Sequence, residues 1–491
     1  MAIDFSETPG AFACLAGRRR RWAPGGQGVG DIDTSGVPWH ADGESPAPVS
    51  VPFRREAGPA TGSRRDTAVL WWINAVDGLG SQASGLVLPL LLLDLGQGPG
   101  TAGAFASAAA ITGVVLGPLV AVPADRGHRR TVMTVSAVAA ALAMAGLAVC
   151  CLRHPPLWAL LGLAFTERLC ATAYEAAARG ALYRLASRDD MPRAVAGVQA
   201  GDQAALVLGP VLGGVLFGVG RFLPFAVDAV TYAVAAAGVR AIRGPLDSPA
   251  STVPRPAGAA GQHAVDAAAR RRVFTGALRA GLVAVVRSPV LRLVFLWSSA
   301  ASGALALLFY TAVFVLGGRS GSVVTGGVLA ASGAAGLAGS MAAPLVVRRL
   351  GAHRSLAAAT WLLLPPCAAL AVSQEPWLWA VCFSALCAVL PVVTVVLGAA
   401  AVLAAPQEAQ SRAGAVLGAG AAVTAAVAPA CAAALVDRGG DRAPALGCAV
   451  LLAVLALHTQ RSAVTVLRPA GADGGPECIG PATDSAPGGR S

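Results

Sequence analysis

Lysine is absent from this chain. All 37 basic residues among its 491 are arginine. No G-x-x-x-x-G-K-[ST] phosphate loop occurs, and no lysine is present to complete one, which argues against an ATP-driven machine. Charge of either sign is scarce. Only 13% of residues are Asp, Glu, Lys or Arg, about half the share usual in a soluble domain. Aromatics make up 5% and histidines number six. No Ser-His-Asp arrangement or metal-ligand spacing stands out, so we expect no catalytic residue, no metal, no cofactor and no enzymatic activity. Ten cysteines are present. Cys150, Cys151, Cys170, Cys382 and Cys387 lie inside apolar runs, where they read as small packing residues. The net charge of +11 comes without a basic stripe interleaved with aromatics, so nucleic acid is not expected as a partner.

What is abundant is apolar sequence. The chain is 55% hydrophobic, with a mean hydropathy of +0.64. Apolar runs of roughly 20 residues, each long enough to span a bilayer, fall near 67–93, 101–124, 131–152, 157–182, 194–219, 222–242, 290–316, 322–347, 354–372, 376–399, 412–436 and 443–460. They define twelve spans of an all-α membrane protein. The expected organisation is a disordered cytoplasmic tail over 1–65, a six-helix bundle over 66–242, a cytoplasmic central loop over 243–289, a second six-helix bundle over 290–460 and a cytoplasmic tail over 461–491. Arg18 to Arg21 lack a following apolar segment, so they are no twin-arginine signal. In the central loop, 264–287 mixes Arg270, Arg271, Arg272, Arg279 and Arg287 with apolar residues. It reads either as an amphipathic helix on an anionic membrane face or as a solvated linker.

Arginine placement fixes the threading. Short loops on one side carry Arg126, Arg129, Arg130, Arg184, Arg188, Arg193, Arg348, Arg349, Arg354 and Arg412. Those on the other carry Arg153, Arg221, Arg319, Arg438 and Arg442. The richer side is the cytoplasmic one, so both termini are expected there, in a multi-pass protein of the cell membrane. Repetition is visible as well. Val347 to Arg354 follows span 8 as Asp125 to Arg130 follows span 2, which implies two related halves.

Gly117 to Arg130, GPLVAVPADRGHRR, is the most informative stretch. An apolar run stops at Asp125, and Arg126, Arg129 and Arg130 follow before the next run begins. This hairpin resembles the span 2–3 loop of major facilitator superfamily transporters, G-x-x-x-D-R-x-G-R-R, with Ala121 and His128 in place of the two glycines. Its nearest likeness is to the drug- and siderophore-exporter branch. Gly209-Pro210-Val211-Leu212-Gly213-Gly214 in span 5 resembles the antiporter signature G-P-x-x-G-G. The resemblance implies the twelve-span fold in two pseudo-symmetric six-helix bundles, with the small-residue spans 2, 5, 8 and 11 between the halves. It also implies that Asp125, Arg126, Arg129 and Arg130 form a cytoplasmic gate loop, in which Asp125 and Arg129 lock the halves together. For Asp125 a helix-capping role is the alternative.

Four acids fall inside spans: Asp77, Glu167, Asp202 and Asp228. Intramembrane ionisable groups are costly and face a partner or a cavity. Asp77 lies ten residues into span 1, and Glu167 and Arg168 ten or eleven into span 4 from the opposite side. At 1.5 Å per residue all three reach about 15 Å, the middle of a core roughly 30 Å thick. Asp77, Glu167, Arg168 and Asp202 are the candidates for proton coupling. A buried structural network is the competing reading. Asp228 stands in Asp228-Ala229-Val230-Thr231-Tyr232, which resembles a recurring span 6 pattern of that branch, and is expected to be structural. Glu175 and Arg179 are spaced as a local ion pair. The second half offers only hydroxyls and aromatics, including Ser298, Thr360, Thr394, Phe309, Tyr310 and Trp361. The expectation is a monomeric secondary transporter in the lipid bilayer, exporting a small drug-, antibiotic- or siderophore-like molecule in exchange for protons. Metabolite uptake and a non-transporting membrane sensor or scaffold are the alternatives.

Overall fold

The computed structural model describes residues 64–125, 127–153, 156–186, 190–247, 279–404 and 410–466. Among these no strand occurs. The first six helices are α1 (Arg64–Asp94), α2 (Pro99–Asp125), α3 (Arg129–Cys151), α4 (Leu157–Leu185), α5 (Met191–Val219) and α6 (Leu223–Ala241). A short α7 covers 279–287. Then come α8 (Pro289–Leu350), α9 (Ala352–Leu362), α10 (Leu364–Val372), α11 (Pro376–Ala404), α12 (Gln410–Gly439) and α13 (Ala443–Val466).

Ten helical stretches among the described residues, with α9 and α10 taken together as one, are long and apolar enough to cross a membrane. The apparent 62-residue α8 breaks at Gly321, whose φ of 83° and ψ of 169° are not helical. A straight helix of that length would run about 93 Å, three times the hydrocarbon thickness. It therefore comprises spans 7 and 8, reversing at a residue that only glycine suits. α4 falls outside the ten because it carries Glu167, Arg168, Glu175, Arg179 and Arg184, yet it packs against α2 and α3 as a full-length span. Counting both, twelve spans result. Span 9 is expected as one helix and is found as two, α9 and α10. Pro365 and Pro366 follow the break and cannot continue the preceding hydrogen-bond ladder.

The basic turn between spans 2 and 3 is built on Gly127, φ 101°. Its amide donates to Ala124 O at 3.1 Å and that of His128 to Pro123 O at 3.3 Å, closing the end of α2. The glycine missing from position 128 is thus supplied one residue earlier. Gly351, φ 79°, ends span 8 at the matching place in the second half.

The halves meet through spans 2 and 11 and through spans 5 and 8. Gly103 sits against the carbonyl of Pro429, and Ser107 Oγ accepts from Ala430 N at 2.9 Å. Gly214 sits against the carbonyl of Ser322, and Gly326 against that of Pro210. The Ser322 hydroxyl donates to Gly214 O at 3.1 Å. All of these contacts lie toward the end opposite the basic loops. Toward the basic end, spans 2 and 8 leave Val115, Leu119, Met341 and Leu345 exposed.

Two ion pairs at the opposite end repeat across the halves. Asp94, closing span 1, meets Arg221 in the turn before span 6 at 2.5 Å. Arg319, closing span 7, meets Asp441 in the turn before span 12 at 2.5 Å. The positions correspond and the signs are exchanged.

Of the segment 264–287, only 279–287 lies within the described residues. It is helical. Val285 packs with Ala413 and Val416 of span 11, while Leu282, Val283 and Val286 stay exposed.

Candidate coupling site in the first half

Span 1 carries Asn74, Asp77, Ser81 and Ser84 at intervals of three, four and three residues. That spacing places all four on one helical face. The face turns inward, toward spans 4 and 6. Gly80 on the same turn makes the approach possible. A Cβ there would stand 2.5 Å from Asp228 Oδ1 and would overlap Thr231 as well.

A hydrogen-bond network joins the three spans. Ser84 Oγ donates to Asp228 Oδ2 at 2.6 Å, and Thr231 Oγ1 lies 3.0 Å from Asp228 Oδ1. The Tyr232 hydroxyl donates to Glu167 Oε1 at 2.7 Å and stands 3.1 Å from Ser81 Oγ. Nearer the basic end, Tyr174 OH donates to Asn74 Oδ1 at 3.1 Å. Asp77 lies between these bonds, 8% exposed, and its Oδ1 has no hydrogen-bond partner. It is within electrostatic reach of Asp228, Glu175 and Glu167.

Arg168 forms no ion pair with Asp77 or Glu167, and reaches Glu167 only electrostatically. Its guanidinium reaches Glu175 Oε1 at 3.8 Å, and Arg179 holds the other oxygen of Glu175 at 4.0 Å. The i,i+4 pair expected for Glu175 and Arg179 is therefore one arm of a three-residue chain. Arg168 also comes within electrostatic reach of Tyr310 on span 7, so it stands where the two halves face each other. Asp202 is exposed and faces Arg179, apart from the three-carboxyl cluster. Asp228, expected as a structural acid, is fully buried and belongs to the same network as Glu167.

In the gate loop, the side chain of Asp125 and the whole of Arg126 lie outside the described residues. Arg129 stacks beside Gly180 of span 4. Arg130 donates to Val239 O at 3.1 Å and Gly244 O at 3.0 Å, tying span 3 to the end of span 6. Asp66 of span 1 accepts from the Gly244 amide at 2.8 Å, so spans 1 and 3 converge on that residue. In span 5, Gly209 and Gly213 admit the backbone of span 1 at Gln82 and Ala83, while Pro210 and Gly214 face span 8.

The polar face of span 1 and the hydroxyl of Tyr232 complete the site. The face was readable from its 3-4-3 spacing along the span.

Two six-span halves joined through glycine-rich contacts, with a polar cluster inside the first, define a transporter of solutes across membranes. A sequence profile of the Major Facilitator Superfamily matches residues 70–397, and the chain belongs to that superfamily. No curated protein sequence matches it significantly. Among solved structures it resembles a bacterial homologue of the human lysosomal transporter Spinster in an inward-facing, unoccupied conformation. The TM-score is 0.60 at 13% identity, over 82% of this chain and 97% of that one. It also resembles the nucleoside transporter NupG, with TM-score 0.58, 12% identity and coverage of 82% and 99%. A bacterial homologue of the iron transporter ferroportin in its inward-facing state gives TM-score 0.57, 15% identity and coverage of 80% and 98%. At such identities these likenesses speak for the fold alone.

Proposed function

We propose that the protein is a proton-coupled exporter of a small lipophilic or amphipathic organic molecule, working by alternating access in the cell membrane with both termini cytoplasmic. The observation that carries this reading is the charge balance around Asp77. Asp77, Glu167 and Asp228 converge within one half, and no ion pair joins any of them to a cation among the described residues. Three carboxyl groups without a paired cation in a membrane interior need protons, or a cationic guest, for neutrality.

Asp77, with an oxygen left unpartnered, is the group we assign to taking up the proton. Ser81 and Tyr232 connect its helix to Glu167, which gives the proton a second place to rest. Arg168 links this cluster to the other half through its proximity to Tyr310. A solute arriving between the halves would meet Arg168 on one side and the paired rings of Phe309 and Tyr310 on span 7 on the other. Such walls suit an amphipathic molecule. The halves touch opposite the basic loops and leave apolar side chains uncovered near them. With the basic side cytoplasmic, this is an inward-facing arrangement. Asp125 and Arg129 then serve the opposite state, holding the cytoplasmic ends together.

The test uses purified protein in vesicles. Asp77→Asn and Glu167→Gln are assayed for pH-driven transport of a panel of amphipathic dyes and for counterflow, which needs no net proton movement. Loss of the first with retention of the second is the expected result. Full pH-driven gradients in both variants would overturn the assignment and leave the acids a structural role.

A further inference from the structure

Spans 3 and 6 stand on the outer wall of the first half, away from the spans that join the halves. Their outward side chains are apolar and exposed: Val135, Val138, Leu142 and Val149 on α3, Val230 and Val234 on α6. Between the two helices runs a groove of ≈ 470 Å³, floored by Ala141 and Ala236 and bordered by Val138, Leu142, Ala233 and Ala237. The alanines create it, since larger residues on α6 would fill the space. At its basic-loop end the groove is closed by Arg240.

The groove has the dimensions of one leaflet. Val138 and Leu142 stand nine and thirteen residues into α3, about 14 and 20 Å along its axis. Ala233 lies eight residues before the end of α6, about 12 Å deep. One leaflet of hydrocarbon is about 15 Å, half of the core. Arg240 sits where the headgroup of a lipid lying in the groove would be. Arg243 follows three residues later, also exposed. Neither makes an ion pair among the described residues. The acids close by are engaged, Asp247 with the amide of Arg130 at 3.0 Å and Asp66 with that of Gly244 at 2.8 Å.

We infer that this groove is a binding site for one anionic phospholipid, with an acyl chain lying along the alanine face and the phosphate held by Arg240 and Arg243. Arginine at the headgroup level and an apolar furrow of leaflet depth are complementary to the two ends of that molecule. Occupancy has a structural consequence. Span 6 carries Asp228, Thr231 and Tyr232 on its inner side and the groove on its outer side. A lipid seated there buttresses the helix that positions the carboxyl cluster. The inference does not depend on the direction of transport or on the coupling ion.

The experiment compares wild-type protein, Ala237→Trp and the double variant Arg240→Gln/Arg243→Gln, each purified in mild detergent. Retained lipid is quantified by mass spectrometry, and thermal unfolding is followed with added phosphatidylglycerol, phosphatidylcholine or inorganic phosphate. Wild type should retain about one anionic phospholipid per chain and gain stability from phosphatidylglycerol, as a ligand of the folded state does. Phosphatidylcholine and inorganic phosphate should give little. Ala237→Trp should lose both retention and stabilisation. The double arginine variant alters only exposed side chains, so it stays folded; it should bind both lipids alike and weakly. Equal stabilisation of wild type by the two lipids overturns the inference. So does undiminished phosphatidylglycerol retention in the double arginine variant, whatever the fate of Ala237→Trp.

Discussion

The hydroxyl of Tyr232 on span 6 donates to Glu167 Oε1 on span 4 at 2.7 Å. The same hydroxyl lies 3.1 Å from Ser81 on span 1. One atom thus ties together the three spans that hold the clustered carboxyl groups. Tyr232→Phe keeps the ring and removes that atom. A hydrogen bond to a charged group contributes roughly 1.5–3 kcal/mol, so pH-driven transport should fall about tenfold or more. The pH giving half-maximal rate should move, while counterflow at fixed pH persists. An unchanged pH profile would remove Tyr232 from the coupling path.

Gly214 and Gly326 let spans 5 and 8 touch backbone to backbone. Gly214→Val should therefore hold the halves apart at the end opposite the basic loops and abolish transport without preventing membrane insertion. Gly327 has open space around it, so Gly327→Val should transport normally. Spin-label distances between spans 5 and 8 measure the effect. A wild-type distance distribution in Gly214→Val would refute it.

The two arginines of the basic hairpin have separate tasks. Arg130 satisfies two carbonyls at the end of span 6. Arg130→Gln should cost about 1–3 kcal/mol of stability, seen as a lower unfolding temperature in detergent. Arg129 makes no such bond among the described residues and leans on Gly180. Arg129→Gln should leave the unfolding temperature near wild type and slow transport, together with Asp125→Asn. Equal thermal losses in the two arginine variants would contradict this division.

Threading is open to a direct check. Reporters fused near residue 260 and at the C-terminus should both report cytoplasm, and one fused near Ser373 the outside, following the arginine asymmetry of the short loops. An external signal at residue 260 would reverse the sidedness of the gate loop.

Span positions were legible because a bilayer demands about twenty apolar residues each time. The observed helices Arg129–Cys151 and Ala443–Val466 start within two residues of the runs from which they were read. The break of span 9 was less legible. Pro365 and Pro366 were in view, but prolines also sit inside the unbroken helices α1, α5, α11 and α12. At the site, sequence depth placed Asp77 near Glu167, and the structure brings them within electrostatic reach of each other. Partner choice was not legible. Arg168, Glu167 and Glu175 share span 4, so the choice rests on side-chain rotamers and on the groups that face them from other spans, and Tyr232 of span 6 takes Glu167 while Arg168 turns to Glu175. Likewise, Ser84 and Asp228 are 144 residues apart in the chain, and only the close approach permitted by Gly80 brings them together.

The exchanged ion pairs at the loop ends bear on how such a chain assembles correctly. Two halves of similar shape carry a hazard, docking of the end of span 1 onto the turn before span 12 and of the end of span 7 onto the turn before span 6. With the signs exchanged, that misassembly would set Asp94 against Asp441 and Arg319 against Arg221, like charge facing like in both places. Correct docking gives two attractive pairs. Each half therefore carries an address that its own turn can read and the other half's turn rejects. A duplicated architecture of this kind keeps its copies from being mistaken for each other by diverging in sign while conserving position.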